Sequence, residues 1–318
     1  MSRGVGVLAL FILLRGSDSS LLKWLQIQGA MTAGVGGGQP ISFCNVFFFS
    51  SLVTGLVILF WDRRGTVRRL PFLTPTDRRL LVTHSFTGFF LAPMAYYLAL
   101  EHLSVVQQTL LFSLTVPCTA LVARFVLKES LPRLFPLSCG LITLGLLLSA
   151  RAGVMADSPG MALDGRGVAW ACVGIAAFAW SGVNARLLSQ KSIGVGLTIG
   201  VSSLMAAQAF AVIAIVLFGP SHFIALSRWW VLGVIGGYAC LVTLGSQWSL
   251  MQAYACFGVV TVTVWATLTL VVSLVVAHGL LAEPLSPMAI GAAALIVLAV
   301  LVQQWSPMTR PAPEAVSR

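Results

Sequence analysis

Charge is what this sequence of 318 residues most lacks: 9% of its residues are Asp, Glu, Lys or Arg, against 58% hydrophobic, and the mean hydropathy is +0.95. Soluble domains usually carry about a quarter charged residues, so a water-solvated globule is excluded. Paired cysteines are also missing. Cys44, Cys118, Cys139, Cys172, Cys240 and Cys256 stand singly with no CxxC spacing, which removes a disulfide framework and a thiolate metal site, and leaves packing as their reading. No HExxH, aspartate-rich diphosphate site or GxxxxGK[ST] loop occurs, and His84, His102, His222 and His278 are isolated. Zinc hydrolysis and direct ATP drive are therefore not expected, and neither a metal nor a cofactor is implied. The net charge of +10 does not point to nucleic acid, because the basic residues lie between apolar segments and form no patch with interleaved aromatics.

What is present is a series of apolar runs long enough to cross a hydrocarbon core of about 30 Å as helix. Their approximate limits are 4–24, 42–61, 80–100, 104–127 and 134–150, then 167–188, 195–218, 229–253, 258–281 and 287–305. The expectation is an all-α integral membrane protein of about ten transmembrane helices. The opening run has a charged start but no small-residue cleavage site after it, so it reads as a retained first helix. Arg63, Arg64, Arg68, Arg69, Arg78 and Arg79 fill one loop, and Arg310 and Arg318 the tail. If both are cytoplasmic, the excess of positive charge inside places both termini in the cytoplasm, in a multi-pass protein expected at the plasma membrane. Residues 306–318 read as a disordered tail.

Internal self-similarity organises the chain. Residues 99–150 slide onto 253–304 without a gap, placing Val105-Val106 on Val259-Val260, Thr109 on Thr263, Glu129 on Glu283 and Leu131 on Leu285. A unit of five spans is odd, so a second copy enters the bilayer from the other face. The expected organisation is a first five-helix repeat over 1–150, a connecting loop over 151–166, a second and inverted repeat over 167–305, and the tail. Glu129 and Glu283 then sit at opposite faces, where each would cap or lock a helix turn rather than bind solute.

At these residues the chain resembles the EamA-type branch of the drug/metabolite transporter superfamily. LLFSLTVPCTALVARFVLKESL followed by FPLSCGLITLGLLLSA is similar to that family's helix with a central proline, glutamate-bearing turn and small-residue helix, with Pro117 and Glu129 in place. The second copy keeps Glu283 but has Val271 in the proline's position. FAWSGVNARLL, with Trp180 and Ser181, is similar to the family's tryptophan-glycine opening helix, whereas the first half has LLRGSDSSLLK with Arg15 before Gly16. The resemblance implies a ten-helix transporter of metabolites, amino acids or drugs without a bound cofactor, and leaves the cargo open.

Charged side chains within a span are costly unless they face a cavity or a partner, so Arg15 and Asp18 are the first candidates for substrate binding. They either pair as i and i+3 neighbours, or Arg15 offers its planar fork to a carboxylate or phosphate, or both lie in the membrane interface. His84 aligns with Tyr238, and both could line a cavity, His84 with a titration near neutral pH. Asn45, Gln107, Asn184 and Gln247 are uncharged polar groups that either bind solute or bridge helices. Gln107 is favoured over Gln108. Tyr96, Trp180 and Trp265, with Tyr97 and Trp248, are candidate apolar walls, while Trp24, Trp61, Trp229, Trp230 and Trp305 read as interfacial anchors. Pro93 and Pro117 could mark bends. The expected function is alternating-access export or exchange of a small polar or amphipathic metabolite. The alternative is a polytopic enzyme acting on lipid or prenyl substrates. The expected partners are the solute and the bilayer, with the chain a monomer or homodimer.

Overall fold

In hydrocarbon every backbone N–H and C=O must be satisfied within the chain, and a helix does this residue by residue. The computed structural model describes residues 2–32, 41–128, 131, 134–155, 164–227 and 229–305, and its regular structure is helical throughout. The first half holds α1 (Ser2–Thr32), α2 (Phe43–Trp61), a short α3 (Arg63–Arg69), α4 (Pro75–His84), α5 (Ala92–His102), α6 (Val105–Phe112), α7 (Thr115–Leu127) and α8 (Phe135–Met155). The second holds α9 (Gly165–Gln190), α10 (Ser202–Phe218), α11 (Trp229–Gly237), α12 (Gly245–Ala266), α13 (Leu268–Leu281) and α14 (Pro287–Trp305). Among the described residues, six helical stretches, Gly4–Met31, Phe43–Trp61, Val105–Leu127, Gly165–Gln190, Gly196–Phe218 and Val231–Ala253, are long and apolar enough to span a membrane. Phe60, Phe125, Val216 and Trp229 are all more than three-quarters exposed, an arrangement that suits lipid and not water.

Several boundaries differ from those read in the sequence. α1 runs past residue 24 to Thr32, so Arg15 and Asp18 lie in mid-helix and not at an end. α8 continues to Met155, and α12 runs through 254–257, where a loop is expected. Gly4 nevertheless faces Cys256 and Phe257, Gly245 faces Leu14, and Gly16 faces Thr269 and Val272. Residue 257 is thus level with the start of α1 and residue 272 with its middle, so the chain changes direction between them. Glu129 and the tail 306–318 lie outside the described residues.

Among the described residues, three π-helical segments interrupt the helices, Ser85–Leu91, Gly196–Val201 and Tyr238–Leu244. The first and third nearly coincide under the shift that puts Glu129 on Glu283. So do the break at Ser113-Leu114 and the one at Thr267. Lys128 (φ 54°) and Ala282 (φ 53°) end α7 and α13 in the left-handed conformation, and they are equivalent under the same shift. Non-glycine residues adopt it rarely. Packing follows the same rule: α1 lies on α12 and α13 as α9 lies on α5 and α7, while α2 pairs with α10 and α8 with α14.

The loops on the arginine-rich face are tied together. Thr74 and Asp77 form a capping box at the start of α4, and Asp77 also takes a salt bridge from Lys191. Arg69 donates to the Lys191 carbonyl at 2.9 Å, and Asp62 accepts from the Gly196 amide at 2.9 Å. The Lys191 bond and the Thr74 donors hold the Asp77 carboxyl down to about 2. Its folded value is lowered, so its contribution is complete above the ordinary carboxylate range and is lost as pH falls through about 2. Asp77→Asn should therefore lower the melting temperature of the purified protein by a constant amount from neutral pH to about 5, and the difference from wild type should shrink below that.

Candidate functional site

Polar side chains in an apolar helix collect where they can meet water or one another, and here they collect on one cavity. Its volume is about 700 Å³. α1 contributes Arg15, Asp18, Ser19 and Leu22, and α2 contributes Phe47, Ser50, Ser51 and Thr54. Opposite stand Thr109 and Phe112 from α6, Thr115 and Thr119 from α7, and Tyr238, Thr243, Ser246 and Gln247 around the π segment before α12.

Arg15 and Asp18 are the two ionisable groups of formal charge in this lining. One turn apart on α1, they pair through Nη1 and Oδ2 at 2.8 Å. Tyr238 donates its hydroxyl to the other carboxylate oxygen, Oδ1, at 2.7 Å. Asp18 is thus held from both sides, and Arg15 presents the rest of its guanidinium to the cavity. Their side chains are 50% and 21% exposed, which fits a pair at the edge of a wet space and not one buried in protein. Ser19, beside Asp18, shares a hydrogen bond with the Tyr96 hydroxyl. Tyr96 stacks edge-on against Phe112, which meets Phe178, and these rings form the apolar wall.

Hydroxyls supply most of the remaining polarity. Many bond back to their own helix: Ser50 to the Val46 carbonyl at 2.8 Å, Thr119 to that of Thr115 at 2.7 Å and Ser246 to that of Thr243 at 3.1 Å. Such a hydroxyl keeps its lone pairs for a solute. Thr54 Oγ1 and Thr115 Oγ1 are buried with no hydrogen-bond partner among the described residues. Thr109 and Ser273 join the two halves across the cavity at 3.0 Å.

Five of the candidate substrate-binding residues, Arg15, Asp18, Tyr96, Tyr238 and Gln247, come together in this lining. The others do not. His84 is buried, with Nδ1 against the carbonyl and hydroxyl of Ser181 at 3.2 and 3.0 Å, and its ring packs on Phe89. Gly88 permits this arrangement, since a Cβ there would lie 1.9 Å from Ser181 Oγ. Asn45 is fully buried near the start of α2, where its backbone N–H donates to the Ser42 hydroxyl. Gln107 folds back on Ser104 in a capping box at the start of α6. Asn184 reaches Thr83 Oγ1 at 3.3 Å, bridging helices. Trp180 and Trp265 are 45% and 51% exposed and do not wall the cavity, a role taken by Phe112 and Phe178. A legible signal for the missed residues exists: Phe47, Ser50, Ser51 and Thr54 recur at helical spacing along one face of an apolar helix.

Residues 30–151 match the profile of the EamA-like transporter family. A protein of Synechocystis sp., named only as an uncharacterized transporter, is 27% identical over 285 residues, covering 86% of this chain and 80% of that protein. A solved structure titled "Crystal structure of protein" is 17% identical, covers 95% of this chain and 96% of its own, and superposes with a TM-score of 0.48. On the first two matches, residues 30–151 carry an EamA-like unit and the chain is similar to membrane transporters.

Proposed function

We propose that the chain is a secondary transporter that exports or exchanges a small solute of no net charge, a zwitterion such as an amino acid or a neutral polar metabolite. The observation that carries this reading is the Arg15–Asp18 pair in the cavity wall. The pair sums to zero formal charge, so a solute with net charge would bring an uncompensated charge into a space walled by Phe112, Phe178 and helix backbone. That costs several kcal/mol. A zwitterion offers its carboxylate to the remaining guanidinium donors of Arg15 and its ammonium to Asp18 and the surrounding hydroxyls. The ring wall accepts an apolar side chain.

Alternating access supplies the mechanism. Two inverted repeats related by a pseudo-twofold axis can exchange conformations around a site between them. The matching left-handed caps at Lys128 and Ala282, the matching π segments and the exchange-symmetric helix pairs support such repeats. The family profile covers residues 30–151, which hold α2 to α8 of the first half. The cavity takes residues from both halves, as this mechanism requires.

Ligand-dependent melting of the purified protein tests the cargo class. A solute that binds the folded state alone raises the melting temperature in proportion to the logarithm of its concentration. Zwitterionic amino acids and neutral polar metabolites are expected to do so in wild type and not in Arg15→Leu. Stabilisation by dicarboxylates or diamines alone would overturn the neutral-cargo assignment.

A further inference from the structure

The cavity ends one helical turn short of a group of charges that its lining does not include. Leu22, Tyr96 and Thr109 are its outermost lining residues on α1, α5 and α6. Lys23 follows Leu22 directly, and Leu100 and Val105 lie four residues beyond Tyr96 and before Thr109. Packed around these charges is a buried apolar cluster that includes Leu25, Tyr97, Leu100, Val105, Val106 and Leu274.

The turn from α5 to α6 is held there at both of its helix ends. Lys23 Nζ donates to the carbonyls of Leu100 and Leu103, the unsatisfied C-terminal acceptors of α5. Glu283, from the opposite half, accepts the amides of Val105 through Oε1 at 2.8 Å and of Val106 through Oε2 at 3.1 Å, the unsatisfied N-terminal donors of α6. Each charge complements the helix end that it meets. The carboxylate is aimed by its own backbone: Ala282 is left-handed, the Glu283 amide reaches the Ala277 carbonyl at 3.4 Å, and His278 Nδ1 lies 2.8 Å from the Glu283 carbonyl. The expectation that Glu283 caps a helix is met, and the helix is the other half's.

We propose that Glu283 and Lys23 are a clamp that holds the cavity shut on this face, and that release of Glu283 from α6 opens the cavity to it. The proposal rests on the transport reading. Glu283 joins the loop after α13 to α6 across the boundary between halves, so the two amide bonds break if the halves separate here. The bonds are charge-assisted and number two, enough to bias a two-state equilibrium without locking it. Lys23 stands on α1, which packs on α12 and α13, so its bonds and those of Glu283 tie the α5–α6 turn to the same packed unit and are released together.

Accessibility of a cavity cysteine tests the clamp without any cargo. In a background with the six native cysteines replaced by alanine, Thr243→Cys reports on the cavity and Ser221→Cys, in the exposed segment beside His222, marks the Glu283 face. A membrane-impermeant maleimide is applied to vesicles of the orientation in which the marker reacts. Position 243 is expected to react slowly in the otherwise unsubstituted protein and about tenfold faster with Glu283→Gln, which loses the paired carboxylate acceptors. Lys23→Gln is expected to accelerate it as well. Equal rates with and without Glu283→Gln in protein that remains monodisperse would overturn the clamp while leaving transport intact. Failure of both variants to fold would also overturn it, because the contacts would then be purely structural. A rapid reaction before any clamp substitution would do the same.

Discussion

Arg15→Leu is expected to reduce transport about a hundredfold, and Arg15→Leu combined with Asp18→Asn is expected to be more active than Arg15→Leu alone. The reasoning is electrostatic. Removing the guanidinium leaves Asp18 with Tyr238 as its remaining hydrogen-bond donor, a net negative charge in the wall of the cavity. Loss of one partner costs more than loss of both, since the orphaned charge keeps its desolvation penalty. A factor of a hundred in rate corresponds to about 2.8 kcal/mol, within the range of one charge-assisted interaction. The double variant returns the site to neutrality without its ion pair. Initial rates in vesicles at matched protein levels measure the order wild type, double variant, Arg15→Leu. A double variant slower than Arg15→Leu would mean that the contact of Asp18 with the solute's ammonium outweighs the cost of its orphaned charge.

The second large effect concerns packing beside that pair. Gly16 lies against α13 so closely that a Cβ would stand 2.6 Å from both Cβ and Cγ1 of Val272 and 2.9 Å from the Thr269 carbonyl. Small residues let membrane helices approach in this way. Gly16→Val is expected to lower stability by about 1–3 kcal/mol or more, seen as a fall of several degrees in melting temperature. Val272→Ala should restore only part of it. The valine Cγ1 goes, but its Cβ and the Thr269 carbonyl remain where the new side chain must fit. Full restoration would show that α1 and α13 are free to separate.

How far the sequence announces these features depends on the range of the interaction. Apolar runs are local, and they place the membrane helices to within a few residues, as α2 (Phe43–Trp61) shows against 42–61. The pairing of Arg15 with Asp18 is also local, one turn of a single helix, and one of its expected forms is the observed one. Gln107 was equally legible: Ser104-x-x-Gln107 is the spacing of a capping box, which consumes the side chain before any solute can meet it. Trp180 and Trp265 illustrate the opposite case. A tryptophan's depth can be estimated from its position in a span, but the direction it faces depends on which helix packs beside it. Tyr238 on Asp18 and Glu283 on α6 are pairings between halves, separated by 220 and 178 residues, and no local pattern encodes them. The π segments at Ser85–Leu91 and Tyr238–Leu244 leave no mark in composition either.

The central claim is that this cavity carries a net-neutral solute across a bilayer, and counterflow into proteoliposomes tests it most directly. Vesicles loaded with an unlabelled zwitterionic amino acid are diluted into a trace of the labelled compound. The account predicts transient accumulation of label that saturates with internal solute, is unchanged by an imposed membrane potential when proton and sodium gradients are absent, and is nearly lost in Arg15→Leu. Absence of counterflow across a broad panel of zwitterionic and neutral solutes, together with chemical turnover of the vesicle lipid, would contradict it.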